Sequence, residues 1–299
     1  MFKKITIIGM GLMGGSLGKA IIKYIPDAHV IGIVRRQEAV QEVLTAKAAH
    51  ECTMSYEEGL HDADLVVLSL PVLAICACAE SIVPHLKKGA VLTDMGSTKQ
   101  AIIEKMREII GKDRFFVGSH PIAGSEKTGV AHSSQDLFLG SVCIVTSDVV
   151  GTFSHPLAHE IANEFALRNL RSFWEKVGCR VSVMSSNAHD CLLSAVSHVP
   201  HFLSVVLMHF AGDIVYDNQQ AVRYTGPGFR DTTRLAGGSP ELWADIALTN
   251  KHNVLEHLNA INQQINTFLN ILQKNDKDEL VTYLSKAKKL RENSMEESS

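Results

Sequence analysis

The 299-residue sequence predicts a doubly wound α/β fold with a mainly parallel sheet, followed by a second domain made only of helices. Three observations carry this expectation. Through residue 184, short apolar runs alternate with amphipathic stretches, the pattern of βαβ units on a parallel sheet. A glycine loop, Gly9-Met10-Gly11-Leu12-Met13-Gly14, follows the first of those runs directly. Past Ser185 the strand pattern stops and long helical periodicity replaces it.

The first run, Ile5-Thr6-Ile7-Ile8, places a strand over 3–8, and later runs place strands over 29–34, 64–70, 90–95, 114–119, 141–147 and 180–184. Amphipathic stretches between them predict helices over 12–24, 37–47, 72–86, 98–110 and 155–177, with Gly89, Gly111 and Gly178 as stop signals. Beyond residue 185 the periodicity predicts helices over 187–217, 239–273 and 276–292, linked by a Gly/Pro-rich segment from Thr225 to Pro240. The expected division is a dinucleotide-binding domain over 1–184, a helical substrate and dimerisation domain over 185–292, and a disordered polar tail over 293–299.

Composition narrows the partners. At 45% hydrophobic and 20% charged, the chain reads as an ordinary soluble globular protein. A net charge of −3 with scattered Lys and Arg offers no basic stripe for a phosphate backbone, so no nucleic-acid partner is expected. The N-terminus lacks a signal-peptide pattern and no apolar run approaches the length of a membrane span, which predicts a cytoplasmic protein without a membrane partner. The six cysteines have no paired CxxC spacing, so they read as reduced thiols and no metal site is expected.

The glycine loop follows a strand and opens a helix, the context in which this motif binds a dinucleotide on a Rossmann-type fold. Gly9 permits the tight turn, Gly11 lets the backbone approach a pyrophosphate, and Gly14 lets helix and strand pack closely. The backbone of Leu12 and Met13 then lies at the helix N-terminus, where free N–H groups and the dipole favour an anion. An NAD site usually carries Asp or Glu at the end of the second strand. Here that position is Val34, followed by Arg35 and Arg36, whose guanidinium groups suit a 2′-phosphate. The cofactor reads as NADP or NAD, with the lean toward NADP.

Ligands of open α/β sheets bind beyond the carboxyl ends of the strands. Two polar clusters fall there: Asp94-Met95-Gly96-Ser97-Thr98-Lys99 and Ser119-His120-Pro121. A histidine at such a place, held on a stiff turn by Pro121, is a candidate general base near neutral pH. Downstream, Asp190, Ser194, Ser197, His198 and His201 share one face of a predicted helix. That stripe lines a substrate cleft or forms interhelical hydrogen bonds. Arg230 and Arg234 form a Gly/Pro-bordered pair that reads either as a carboxylate clamp or as partners of Asp231.

With these residues in view, the chain resembles the prephenate/arogenate dehydrogenase family over nearly its whole length. The matching segments are Gly9–Gly18, Asp94–Lys99, Gly118–Gly129, Ser197-His198-Val199-Pro200-His201 and Gly228–Arg234, in the family's order. The resemblance implies oxidative decarboxylation of a cyclohexadienol, prephenate or arogenate, in tyrosine biosynthesis, with hydride transfer to NAD or NADP. It implies that His120 accepts the proton of the ring hydroxyl and that Ser97 orients this histidine and the substrate. Arg234 would bind a substrate carboxylate with Arg230 beside it, while His198, His201 and Glu126 would line the pocket. The long apolar faces of the helical domain suggest a homodimer, and a chain ending near residue 299 leaves no room for a fused mutase or regulatory domain. Two other readings share parts of this plan: a β-hydroxyacid dehydrogenase, which would use a lysine in the helical domain, and a dinucleotide-binding protein without turnover.

Overall fold

The structure is a computed structural model that describes residues 2–124, 127–151 and 156–296. Strands β1 (Lys4–Ile8), β2 (His29–Ile33), β3 (Glu51–Thr53), β4 (Leu65–Leu68), β5 (Val91–Asp94) and β6 (Phe115–Phe116) form one parallel sheet in the order β3-β2-β1-β4-β5-β6. This is the strand order of a dinucleotide-binding sheet, with its topological switch between β1 and β4.

The sheet is apolar on both faces because helices cover both. Ile5 and Ile7 of β1 pack into one cluster with Leu17, Leu65 and Trp174, while Ile8 packs into the other with Leu68, Ile75 and Ile102. Each such side chain, when fully buried, contributes roughly 1.5–3 kcal/mol. Within β1 the buried polar residue is Thr6, which donates its hydroxyl to the Gly59 carbonyl at 2.6 Å.

Helices α1 (Leu12–Tyr24), α2 (Gln37–Thr45), α4 (Val72–Ile82), α5 (Gln100–Ile109) and α6 (Pro156–Lys176) lie where the periodicity predicts. A short α3 (Tyr56–Leu60) and the edge strand β3 lie in a stretch with no sequence periodicity. Past Ile82, Pro84 has no N–H to continue α4, and a 3-10 turn over Val83–His85 replaces the last expected turn. Gly111 and Gly178 adopt φ of 72° and 102° just beyond α5 and α6, the left-handed stop that their spacing predicts.

The strand expected over 114–119 divides into two. β6 ends at Phe116, and β7 (Ser119–Pro121) starts a second, three-stranded sheet with β8 (Val142–Thr146) antiparallel and β9 (Arg180–Met184) parallel to β8. The last two expected strands therefore exist but leave the main sheet. His120 lies in the middle of β7, opposite Ile144, and not on a Pro-stiffened turn as expected.

The helix expected over 187–217 runs as α7 (Ser186–Leu193), a π turn (Ser194–His198) and α8 (Val199–Asp213). Pro200 has no N–H to return to the chain, and the widened turn closes through Val199 N–H to the Ser194 carbonyl. The Gly/Pro-rich segment carries α9 (Pro227–Thr233). The helix expected over 239–273 breaks at Asn250 into α10 (Pro240–Thr249) and α11 (Lys251–Lys274), followed by α12 (Lys277–Glu296). By contacts the chain forms two compact units, Met1–Lys251 and His252–Ser299. In the second, Phe268 and Tyr283 pack ring to ring at 5.7 Å.

No uninterrupted apolar run reaches the length of a membrane span, but by length and composition the helix Ser186–Asp213 does, with 28 residues and a mean hydropathy of 1.7 in its most apolar window. That helix nevertheless buries Ser194 together with His189, Asp190 and His198, and the last three have hydrogen-bond partners inside the first compact unit.

Candidate active site

A cavity of about 710 Å³ opens at the carboxyl ends of β1, β4 and β5, entirely within the first compact unit. Gly11, Leu12 and Met13 line it from the glycine loop, Ser69 and Pro71 from beyond β4, and Met95, Gly96 and Ser97 from beyond β5. His120 lines it from β7, and His201, Arg234, Gly238 and Trp243 close it from the helical segment.

The glycine loop forms the cradle that its spacing predicts. Gly9 has a φ of 94°, and a side chain there would strike the Ser69 carbonyl. Gly14 packs so closely that a Cβ would meet the Gly9 carbonyl, whereas a Cβ on Gly11 would meet nothing within 4 Å. Gly11 begins α1 with no side chain capping its first turn, so backbone N–H donors and the positive end of the helix face open space. These residues fit a nicotinamide dinucleotide with its pyrophosphate on α1. Arg35 and Arg36 follow β2, are exposed, and lie outside the lining of this cavity.

His120 is half-buried, with one side toward the cavity. Its Nδ1 is 2.8 Å from Nε2 of His189, and His189 Nδ1 is 2.7 Å from Asp190 Oδ1. Asp190 in turn accepts the backbone N–H groups of Lys99 at 2.7 Å and Gln100 at 2.9 Å, one on each oxygen, and thereby caps α5 from α7. Burial pushes the His120 pKa well below the ordinary histidine value, and His189, Lys99 and His198 push the same way. Burial also lowers His189, against the opposing pull of Asp190. Both imidazoles are therefore neutral near pH 7.

Beneath His120 lies a fully buried ion pair between Asp94, at the end of β5, and Lys99. Asp94 accepts from Gly96 N–H at 2.8 Å and Ser119 N–H at 3.2 Å, and Lys99 Nζ donates to the Ser119 carbonyl at 3.0 Å. The pair thus holds both backbone groups of the residue preceding His120. Burial pushes the Asp94 pKa up, and Lys99 together with the Gly96 and Ser119 N–H groups opposes that push only in part.

The sequence-predicted residues separate. Ser97, His201 and Arg234 join His120 at the cavity. His201 stacks on Trp243 with centroids 3.5 Å apart, and Gly238 leaves room for that stack. His198 does not line the cavity: it is 1% exposed, meets the Asn250 side chain at 3.2 Å, and is pushed by burial down to about 4. The π turn sets Asp190, Ser194, His198 and His201 on the buried face, while Ser197 stays half-buried. The predicted stripe is therefore mainly a set of interhelical hydrogen bonds. Arg230 is exposed and directed at the Thr225 carbonyl, because the helix ends in a 3-10 turn at Arg234 and the two arginines diverge. Of the expected arginine pair, Arg234 alone lines the cavity. Glu126 lies outside the described residues.

Ser97 was expected to orient His120, but the hydrogen-bond partner of His120 Nδ1 is His189. Neither His189 nor Trp243 carries a sequence signal of its own. The Asp94–Lys99 pair had one, two opposite charges bracketing an otherwise uncharged turn at a strand end.

Comparison with known proteins agrees with this geometry. Residues 17–183 match the profile of a family described as "Prephenate dehydrogenase, nucleotide-binding domain", and residues 185–286 match "Prephenate dehydrogenase, dimerization domain". The chain is 31% identical to cyclohexadienyl dehydrogenase of Zymomonas mobilis over 293 residues, covering 97% of this chain and 96% of that protein. Among solved structures, prephenate dehydrogenase from Aquifex aeolicus, in complex with hydroxyphenyl propionate and NAD+, superimposes with a TM-score of 0.87 at 30% identity over 98% of each chain. Synechocystis arogenate dehydrogenase superimposes at 0.81 and 26% identity, over 97% of this chain and 99% of that one. With a parallel nucleotide-binding sheet, a nicotinamide cradle and matches to both domain profiles over most of its length, the chain belongs to the prephenate dehydrogenase family of oxidoreductases.

Proposed function

We propose that the protein oxidatively decarboxylates prephenate to 4-hydroxyphenylpyruvate, the tyrosine-forming step, with His120 as the proton acceptor. The observation that carries this reading is a histidine, held through Nδ1 and with its pKa lowered by burial, facing the same cavity as the glycine loop and Arg234. A bound nicotinamide would supply the hydride acceptor. His120 takes the proton of the ring hydroxyl as its carbon–oxygen bond gains double-bond character. The ring carboxylate then leaves as CO2, its bonding electron pair enters the ring, and the resulting phenolate oxygen takes the proton back. Ser97 and Arg234 line the same cavity, which supports a role for Ser97 in hydrogen-bonding that oxygen and for the Arg234 guanidinium as a planar fork on a substrate carboxylate. Apolar walls at Leu12, Met95, Pro121 and Trp243 restrict water, which strengthens these charged contacts.

Arogenate differs from prephenate only in carrying an amino group where prephenate has a keto oxygen. The likeness to a cyclohexadienyl dehydrogenase supports a site that accepts both. Val34, Arg35 and Arg36 after β2 support NADP over NAD. We read residues 1–184 as the dinucleotide-binding domain and 185–292 as the substrate and dimerisation domain. Phe210, Val206 and Val196, 59–73% exposed in the Ser186–Asp213 helix, favour a homodimer. A cytoplasmic location follows from the biosynthetic role.

The test is kcat/KM for both substrates with both cofactors. Prephenate with NADP is expected to give the highest value. A clear preference for NAD overturns the reading of the arginine pair, and a clear preference for arogenate overturns the substrate assignment.

A further inference from the structure

We propose that His189 is a positioning residue that, backed by Asp190, sets the tautomer of His120 and leaves its Nε2 as the bare, proton-accepting nitrogen. The inference rests on His120 being the base of the reaction proposed above, and it names what makes the imidazole competent.

Each link has one consistent direction. Asp190 is a carboxylate whose two oxygens already accept the Lys99 and Gln100 N–H groups, so toward His189 it acts as an acceptor. His189 must therefore donate Nδ1–H to Asp190 across 2.7 Å, and as a neutral ring it has only an acceptor left at Nε2. That acceptor is 2.8 Å from His120 Nδ1, so His120 carries its proton on Nδ1. The remaining nitrogen, Nε2, keeps its lone pair.

The chain also organises charge. When Nε2 takes a proton, the imidazolium still donates through Nδ1 to His189, with Asp190 at the far end of the line. The ionisable groups around the two rings work in opposite directions: Lys99 and His198 disfavour a charge on His120, Lys99 disfavours one on His189, and Asp190 and Asp94 favour one on His189. His189 itself is 0% exposed and Asp190 1%, so bulk water does not substitute for either partner.

The test combines a tautomer measurement with kinetics. Nitrogen NMR of the full-length protein with labelled histidine, the His120 signals assigned by their loss in His120→Asn, is expected to show Nδ1 protonated and Nε2 bare. An Nε2–H tautomer in the wild type overturns the proposal, and this reading needs neither turnover nor a folded His189 variant. His189→Phe is expected to lower kcat on the order of a hundredfold with KM little changed, while His189→Gln, whose amide oxygen still accepts, recovers most of the loss. Equal kcat in the Phe and Gln variants also overturns it. If neither cyclohexadienol is oxidised by the wild type although the tautomer is as stated, the reaction assignment fails and the relay stands.

Discussion

His120→Asn is expected to lower kcat by about 10²–10⁴-fold while cofactor affinity changes little. Asparagine is close in size and its amide can still pair with His189, but it has no nitrogen that accepts a proton. The glycine loop is untouched, so dinucleotide binding serves as the internal control for folding. Undiminished turnover would remove His120 from the mechanism. The pH profile of the wild type follows from the same site. Burial, His189, Lys99 and His198 all hold His120 below the ordinary histidine value of about 6.5, so the reactive neutral form persists as pH falls through that value and is lost only lower down.

Asp94→Asn is expected to cost about 3–5 kcal/mol of stability, read from the denaturant midpoint. The substitution is nearly isosteric, yet it leaves the Lys99 ammonium fully buried without its counter-charge. It also weakens the anchor on Ser119 N–H, so activity should fall further than stability alone explains. A loss under about 1 kcal/mol would mean that Lys99 finds another partner or sheds its proton, and that the ion pair does not hold β7 in place.

The fold was legible where one periodicity ran uninterrupted. The alternation through residue 95 predicts β1, β2, β4 and β5, because strands buried on both faces must be continuously apolar. Legibility failed where a local break serves the site. The run over 114–119 looks like one strand, but backbone pairing of Ser119 and Pro121 with β8 diverts it into the second sheet. The helix over 239–273 looks continuous, but Asn250 breaks it, and its side chain donates to the Asp190 carbonyl at 2.7 Å and meets His198 at 3.2 Å.

The site was legible as residue types at strand ends and less so as partnerships. Gly9, Gly11, Gly14, Ser97, His120, His201 and Arg234 all reach the cavity or its cradle. His198 and Arg230 do not, because helical spacing cannot foresee a π turn or a 3-10 ending. His189 was invisible for another reason. Its role is set by a contact with a residue 69 positions earlier, and no local pattern records that pairing. The β-hydroxyacid alternative weakens on the same grounds, since among the described residues the helical segment lines the cavity with His201, Arg234 and Ser239 and with no lysine.

The most direct test of the central claim is the stoichiometry of CO2 released to nicotinamide reduced when the purified protein is given prephenate. The account predicts one CO2 and one aromatic product for each reduced nicotinamide, all abolished together in His120→Asn. Dinucleotide binding without reduction, or reduction without release of CO2, would contradict it.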